Sequence, residues 1–206
     1  MKQGRFITLE GIEGAGKSSL LQSLAATLAA HGLPVRATRE PGGTPLAEEI
    51  RKLALARRTD GMPATTELLL MFAARATHTA QLIMPALARG EWVLCDRYTD
   101  ATRAYQGAGR GVAADEIESL ARIAHPGLAP DLTLLLDLPA EEGLARTRRR
   151  GAGGDRFEDE DLAFFTRVRD GYLQLARREP RRFRVLDALE PPATVLATAL
   201  RHLELP

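Results

Sequence analysis

Cysteine is nearly missing from this 206-residue chain. Cys95 is its single copy, which excludes a disulfide framework and a cysteine-based zinc cluster. An excess of one charge is missing too. Lys and Arg number 28 against 27 Asp and Glu, a net charge of +1, and that balance argues against a broad nucleic-acid-binding face. Long hydrophobic runs are absent. The longest apolar stretches, such as residues 68–74, fall far short of the ~20 residues a membrane span needs. After Met1-Lys2-Gln3-Gly4-Arg5 the chain passes directly into a short strand pattern. No apolar leader is visible, so a cytoplasmic location is expected. Internal repeats, low-complexity tails and long linkers are not seen. What remains is a 45% hydrophobic, 27% charged composition, ordinary for a soluble globular protein. A chain this long can bury roughly 70% of its unfolded surface, so a single domain over residues 1–206 is expected.

Short apolar runs alternate with longer helical patterns. Residues 6–9 predict a first strand and residues 18–30 a helix, with Leu20, Leu21, Leu24 and Leu28 recurring at steps of three and four. Gly32 and Pro34 stop that helix. Residues 35–38 predict a second strand. After the Pro41-Gly42-Gly43 break, Thr44 is placed to cap a helix running to about residue 56. A long helix is expected from Thr65 or Thr66 through Leu87, ended by Gly90. Residues 92–95 and 132–138 predict strands covered on both faces, because they are apolar on consecutive positions. Helices are expected over 115–124, 140–150, 162–178 and 192–203, with a fifth strand at 183–186. Strand–helix alternation of this kind implies an α/β fold with a parallel sheet flanked by helices on both faces.

Gly11-Ile12-Glu13-Gly14-Ala15-Gly16-Lys17-Ser18 matches G-x-x-x-x-G-K-[ST] in full, between a predicted strand and a predicted helix. Glycines there turn backbone N–H groups inward as an anion nest, and the helix N-terminus adds partial positive charge. Lys17 is assigned to the β- and γ-phosphates and Ser18 to Mg²⁺. The motif indicates a nucleoside triphosphate site without choosing among kinase, GTPase and motor. An N-K-x-D base-reading tetrapeptide, expected of a GTPase, is absent. Asp96-Arg97-Tyr98 follows the third strand, at the strand ends where open α/β sheets bind ligands. Asp96 is placed to act on Mg²⁺ or its waters, and Arg97 to hold a phosphate. Glu10, beside the cradle, is placed either to contact acceptor hydroxyls and metal waters or to serve as a structural carboxylate.

These stretches occur together with Thr38-Arg39-Glu40-Pro41-Gly42-Gly43-Thr44, Phe72-Ala73-Ala74-Arg75, Ala104-Tyr105-Gln106-Gly107, Pro130-Asp131-Leu132-Thr133 and Asp155-Arg156-Phe157-Glu158. In this combination and order the chain resembles the bacterial thymidylate kinases, nucleoside monophosphate kinases that transfer the γ-phosphate of ATP to dTMP. The resemblance implies a P-loop kinase fold with a five-stranded parallel sheet, a homodimer, and ATP, dTMP and Mg²⁺ as ligands. It implies that Arg97 binds the dTMP phosphate with help from Arg51. Arg75 and Gln106 would hydrogen-bond the thymine edge, with Thr102 near its N3. Tyr105 would pack under the deoxyribose and disfavour a 2′-hydroxyl. The family pattern places a base-stacking Phe four residues before the Arg. Here Met71 holds that position and Phe72 lies three before, on a shared helix face, so Phe72 is assigned to the base, with a core aromatic as the alternative.

Arg146, Arg148, Arg149 and Arg150 crowd a predicted helix end before Gly151-Ala152-Gly153-Gly154. Arg146 and Arg150 share a face, where like charges repel by a few tenths of a kcal/mol. Triphosphate oxygens would compensate, and an arginine aimed at the transferring group is worth ~10³–10⁵ in rate. The family carries its catalytic arginine either in the cradle or in the lid. This cradle has none, which points to a lid spanning about residues 146–158. A solvated cationic helix end is the alternative. His31, His78, His125 and His202 show no ligand spacing, and Cys95 is read as core packing. Two further readings stay open: a kinase for another nucleotide or deoxynucleoside, and an ATP-binding regulatory module without turnover.

Overall fold

The computed structural model describes residues 4–150 and 156–203, apart from the side chains of Arg150 and Glu158. The strands are β1 (Phe6–Glu10), β2 (Val35–Arg39), β3 (Trp92–Asp96), β4 (Leu132–Asp137) and β5 (Phe183–Asp187). They form one all-parallel sheet in the order β2-β3-β1-β4-β5. Strand alternation sends each side chain set to one face. Ile7, Leu9 and Leu94 meet Leu20, Leu24 and Leu28 of helix α1 (Lys17–Ala30). Phe6, Val93 and Cys95 meet Ile83, Ala86 and Tyr98 on the other face. Both faces are therefore covered, which is why the central strands are apolar on consecutive residues.

Around the sheet lie α2 (Pro45–Leu55), α3 (Ala64–His78), α4 (Met84–Ala88), α5 (Thr99–Thr102), α6 (Ala114–Ala124), α7 (Ala140–Arg150), α8 (Leu162–Arg178) and α9 (Pro192–Leu203). The single long helix expected to reach Leu87 is instead α3 and α4 joined by a π-helical turn, Thr79–Ile83. Pro85 in α4 has no N–H, so the α-helical ladder cannot run through it unbroken. Thr44 takes the N-cap position of α2 but makes no side-chain cap bond. Glu48 instead accepts the Gly43 N–H at 2.8 Å.

Residues 99–109 carry no apolar periodicity, yet they form α5 and a π-helical segment, Arg103–Gly109. Close packing on α8 explains its small residues. A Cβ at Gly109 would fall 2.7 Å from the Phe164 ring, and one at Gly171 would fall 2.6 Å from Ala108 Cβ. The connection leaving β1 runs toward β2 and the one leaving β3 runs the opposite way toward β4, so a crevice opens at the carboxyl ends of the neighbouring strands β1 and β3.

Candidate active site

A cavity of about 380 Å³ opens at the carboxyl ends of β1, β2 and β3. The phosphate cradle forms one wall. Gly11, Gly14 and Gly16 have φ of 137°, 76° and 93°, values that L side chains rarely adopt. A Cβ at Gly14 would also meet the Gly143 carbonyl of α7 at 2.6 Å, so the cradle rests against the helix that carries the arginines. Lys17 is buried and donates to the Gly11 and Ile12 carbonyls at 2.9 and 2.8 Å. Burial, and then the nearby Arg97 charge, lower its pKa to about 8. The Ser18 hydroxyl donates to Asp96 Oδ2 at 2.9 Å. These two oxygen ligands suit a hard cation that would complete its shell with phosphate and water. Among the described residues no cluster of three His, Cys, Asp or Glu offers an all-protein metal cage.

Arg97 turns from β3 into the cavity with φ of 73°, a conformation uncommon outside glycine. Its guanidinium donates to Glu13 Oε1 at 2.8 Å and to the Gly11 carbonyl at 3.0 Å. It also lies 4.7 Å over the Tyr105 ring. The Tyr105 hydroxyl donates to the other Glu13 oxygen at 2.5 Å. One cradle carboxylate thus orients both side chains.

Opposite the cradle stands α3. Arg75 is buried and donates to Glu40 Oε2 at 2.7 Å, Thr102 Oγ1 at 3.0 Å and the Tyr98 carbonyl at 3.0 Å. Gln106 donates to Glu67 Oε1 at 2.6 Å. Glu67 also binds Arg156 at 2.7 Å. Arg51 donates to the Pro41 carbonyl at 2.7 Å. Arg51, Arg75, Arg97, Thr102, Tyr105 and Gln106 all line the cavity, and so does half-buried Arg146. The Arg146 guanidinium lies 3.1 Å from the Ala188 carbonyl and 3.4 Å from that of Gly14. The Arg150 side chain, the 151–154 break and Asp155 lie outside the described residues.

Two of the candidate residues lie off the cavity wall. Phe72 does not face the cavity; Met71 does. Adjacent helical residues point about 100° apart, and Phe72 turns away to pack with Leu68, Ile117 and Ala121. Its ring supports Arg75 from behind at 4.9 Å, a cation–π contact. The aromatic rings on the cavity wall are Tyr105 and Phe157, packed edge to face at 5.7 Å. Glu10 also lies off the wall. It is fully buried, accepting the Tyr98 N–H and the Tyr172 hydroxyl, both at 2.7 Å. Of its two possible roles, the structural carboxylate matches this geometry.

Burial, and next the Asp100 charge, push the Glu10 carboxyl up to about 8. The folded state then holds a proton that the unfolded chain releases near pH 4.5. Stability therefore falls as pH rises from about 5 to about 8. The Glu10→Gln variant loses that titration, while its amide oxygen can accept the Tyr98 N–H and its amide NH₂ can donate to the Tyr172 hydroxyl oxygen. Its melting temperature is expected to depend less on pH across this window, and an unchanged slope would show that other groups dominate.

Sequence reasoning missed Glu13 as the link between Arg97 and Tyr105, and it missed Glu40, Glu67, Tyr172 and Phe157 altogether as parts of the site's frame. The T-R-E-P-G-G stretch was the available signal for Glu40. Glu67 and Tyr172 sit in amphipathic helices, where nothing local distinguishes them.

The family model for thymidylate kinase matches residues 9–198. Thymidylate kinase of Pseudomonas putida (strain GB-1) is 60% identical over 187 residues, 91% of this chain and 89% of that protein. Thymidylate kinase of Teredinibacter turnerae is 53% identical over 201 residues, 98% of each chain. The crystal structure of thymidylate kinase from Ehrlichia chaffeensis superposes with a TM-score of 0.79 at 32% identity, covering 98% of this chain and 99% of that one. With a family match across nearly the whole chain and the phosphate cradle facing a polar cavity wall, the chain belongs to the thymidylate kinase family.

Proposed function

We propose that this protein transfers the γ-phosphoryl group of ATP to dTMP, giving dTDP and ADP, with the 380 Å³ cavity as the acceptor site. The observation that carries this reading is convergence. A complete phosphate cradle, Arg97, and the anchored pair Arg75 and Gln106 face one cavity across a few side chains.

In this reading the cradle amides of residues 11–18 and the Lys17 ammonium hold the β- and γ-phosphates. Arg97 and Arg51 hold the dTMP phosphate in line with the γ-phosphorus, which is a matter of positioning. Arg75 spends three of its five N–H groups on Glu40, Thr102 and Tyr98, which leaves two for the thymine edge. Gln106 gives one amide hydrogen to Glu67, so its amide plane is set before substrate arrives. Tyr105, tied to Glu13, forms a fixed floor for the deoxyribose. Mg²⁺, held through Ser18 and Asp96, would neutralise phosphate charge. Arg146 would meet charge that develops on the transferring group. A homodimer and a cytoplasmic location complete the proposal. Among the described residues no helix is long and apolar enough to cross a membrane.

A coupled assay of ADP release across nucleoside monophosphates tests the reading, with dTMP expected as the preferred acceptor. Arg75→Ala and Gln106→Ala should each raise the KM for dTMP about 5- to 150-fold, the equivalent of a lost buried hydrogen bond at ~1–3 kcal/mol. The KM for ATP should stay close to wild type. A preference for another acceptor, or losses confined to the ATP parameters, would overturn the assignment.

A further inference from the structure

We infer that His78 is a positioning residue for acceptor recognition: through Glu40 it fixes the aim of Arg75, and through the turn after β2 it fixes the anchor of Arg51. The inference rests on the reading of the cavity as the dTMP site.

His78 is fully buried at the end of α3. Its Nδ1 lies 2.9 Å from Glu40 Oε1 and its Nε2 lies 2.8 Å from Thr38 Oγ1. The other Glu40 oxygen accepts from Arg75 Nε at 2.7 Å. Burial alone would raise the Glu40 pKa, but Arg75 and His78 together hold it below the usual carboxylate value. An ionised carboxylate only accepts, so Nδ1 carries the hydrogen. The result is an unbroken chain from Thr38 on β2, through His78 and Glu40, to Arg75 and Thr102.

A carboxylate held by one oxygen rotates readily, because its terminal torsion is broad and two-fold. In a buried site the free oxygen would also stay unpaired, which is costly. The bond from His78 removes both problems and stops Glu40 from swinging Arg75 off the cavity. The imidazole also supports the turn itself. Gly43 lies so close that a Cβ there would fall 2.5 Å from His78 Nε2. Two residues earlier in that turn, the Pro41 carbonyl receives Arg51 at 2.7 Å. A residue that merely filled the core would need neither ring nitrogen.

The test separates the two nitrogens. His78→Asn places an amide N–H near Nδ1, within reach of Glu40, whereas His78→Gln places one near Nε2, within reach of Thr38. By calorimetry without ATP, the Asn variant should bind dTMP within about threefold of wild type and the Gln variant about tenfold more weakly, the scale of one buried hydrogen bond. ATP affinity and kcat at saturating dTMP should stay unchanged in both. Equal dTMP affinity in the two variants, or losses shared equally by ATP affinity and kcat, would overturn the inference. Should the Gln variant not fold, Thr38→Val decides. It frees the ring and should weaken dTMP about threefold, and no change would reject the link. A wild-type protein that binds a different nucleoside monophosphate would remove the acceptor assignment alone, and the same contrast is then read with that ligand.

Discussion

Arg146→Ala is expected to lower kcat by about three orders of magnitude, the lower end of what an arginine aimed at a transferring phosphoryl group contributes. ATP affinity, measured separately by calorimetry, should change by no more than a few fold. The reason is differential. An interaction that strengthens only as charge moves on the γ-phosphoryl group affects the barrier and leaves the bound substrate alone. Position singles Arg146 out. It is half-buried on the cavity wall beside the Gly14 carbonyl, while Arg148 and Arg149 are exposed on the same helix. Arg148→Ala should therefore stay within about threefold of wild type, as surface substitutions usually do. Comparable small effects at both positions would make the arginine run a solvated helix end. Weaker ATP binding with kcat preserved would make Arg146 part of the nucleotide cover rather than a stabiliser of the transition state.

Lys17→Ala should cost at least ~100-fold in turnover, by the measure of single electrostatic donors in active sites. The side chain has no apolar role in the core. Its ammonium is buried against the Gly11 and Ile12 carbonyls of its own loop. Melting temperature and circular dichroism should therefore stay close to wild type, and near-normal dTMP phosphorylation by the folded variant would refute the nucleotide site. The wild-type residue adds a pH signature. With burial and Arg97 lowering its pKa to about 8, Lys17 is charged below that value and neutral above it. A triphosphate favours the charged form, so ATP should bind more tightly at pH 7 than at pH 9. The alanine variant should lose that dependence.

The residues legible from sequence are those whose chemistry is local. A phosphate cradle is one continuous loop, so its eight residues reveal it, and the glycines with φ of 76° to 137° are where the motif requires them. Strands buried on both faces are apolar on consecutive positions, which made β3 and β4 visible. The π-helical segment Arg103–Gly109 was invisible because its regularity comes from packing on α8 at Gly109 and Gly171, not from its own periodicity.

Helical spacing placed Phe72 and Arg75 on one face. A face, however, spans more than the width of a narrow cavity, and a turn of about 100° between neighbours was enough to bring Met71 to the wall and Phe72 into the core.

Sequence alone determined the class of this protein: a parallel α/β sheet, a triphosphate cradle after its first strand, and membership of a kinase family through motifs spread along the chain. Only the tertiary structure decided how the polar wall of the cavity is held. Glu13 binds both Arg97 and Tyr105, each more than eighty residues further along the chain. Glu67 joins Gln106 to Arg156, and His78 joins Thr38 to Glu40. The physical reason is that a buried polar group must find its partner wherever the fold brings one within about 3 Å, and sequence separation does not record that distance.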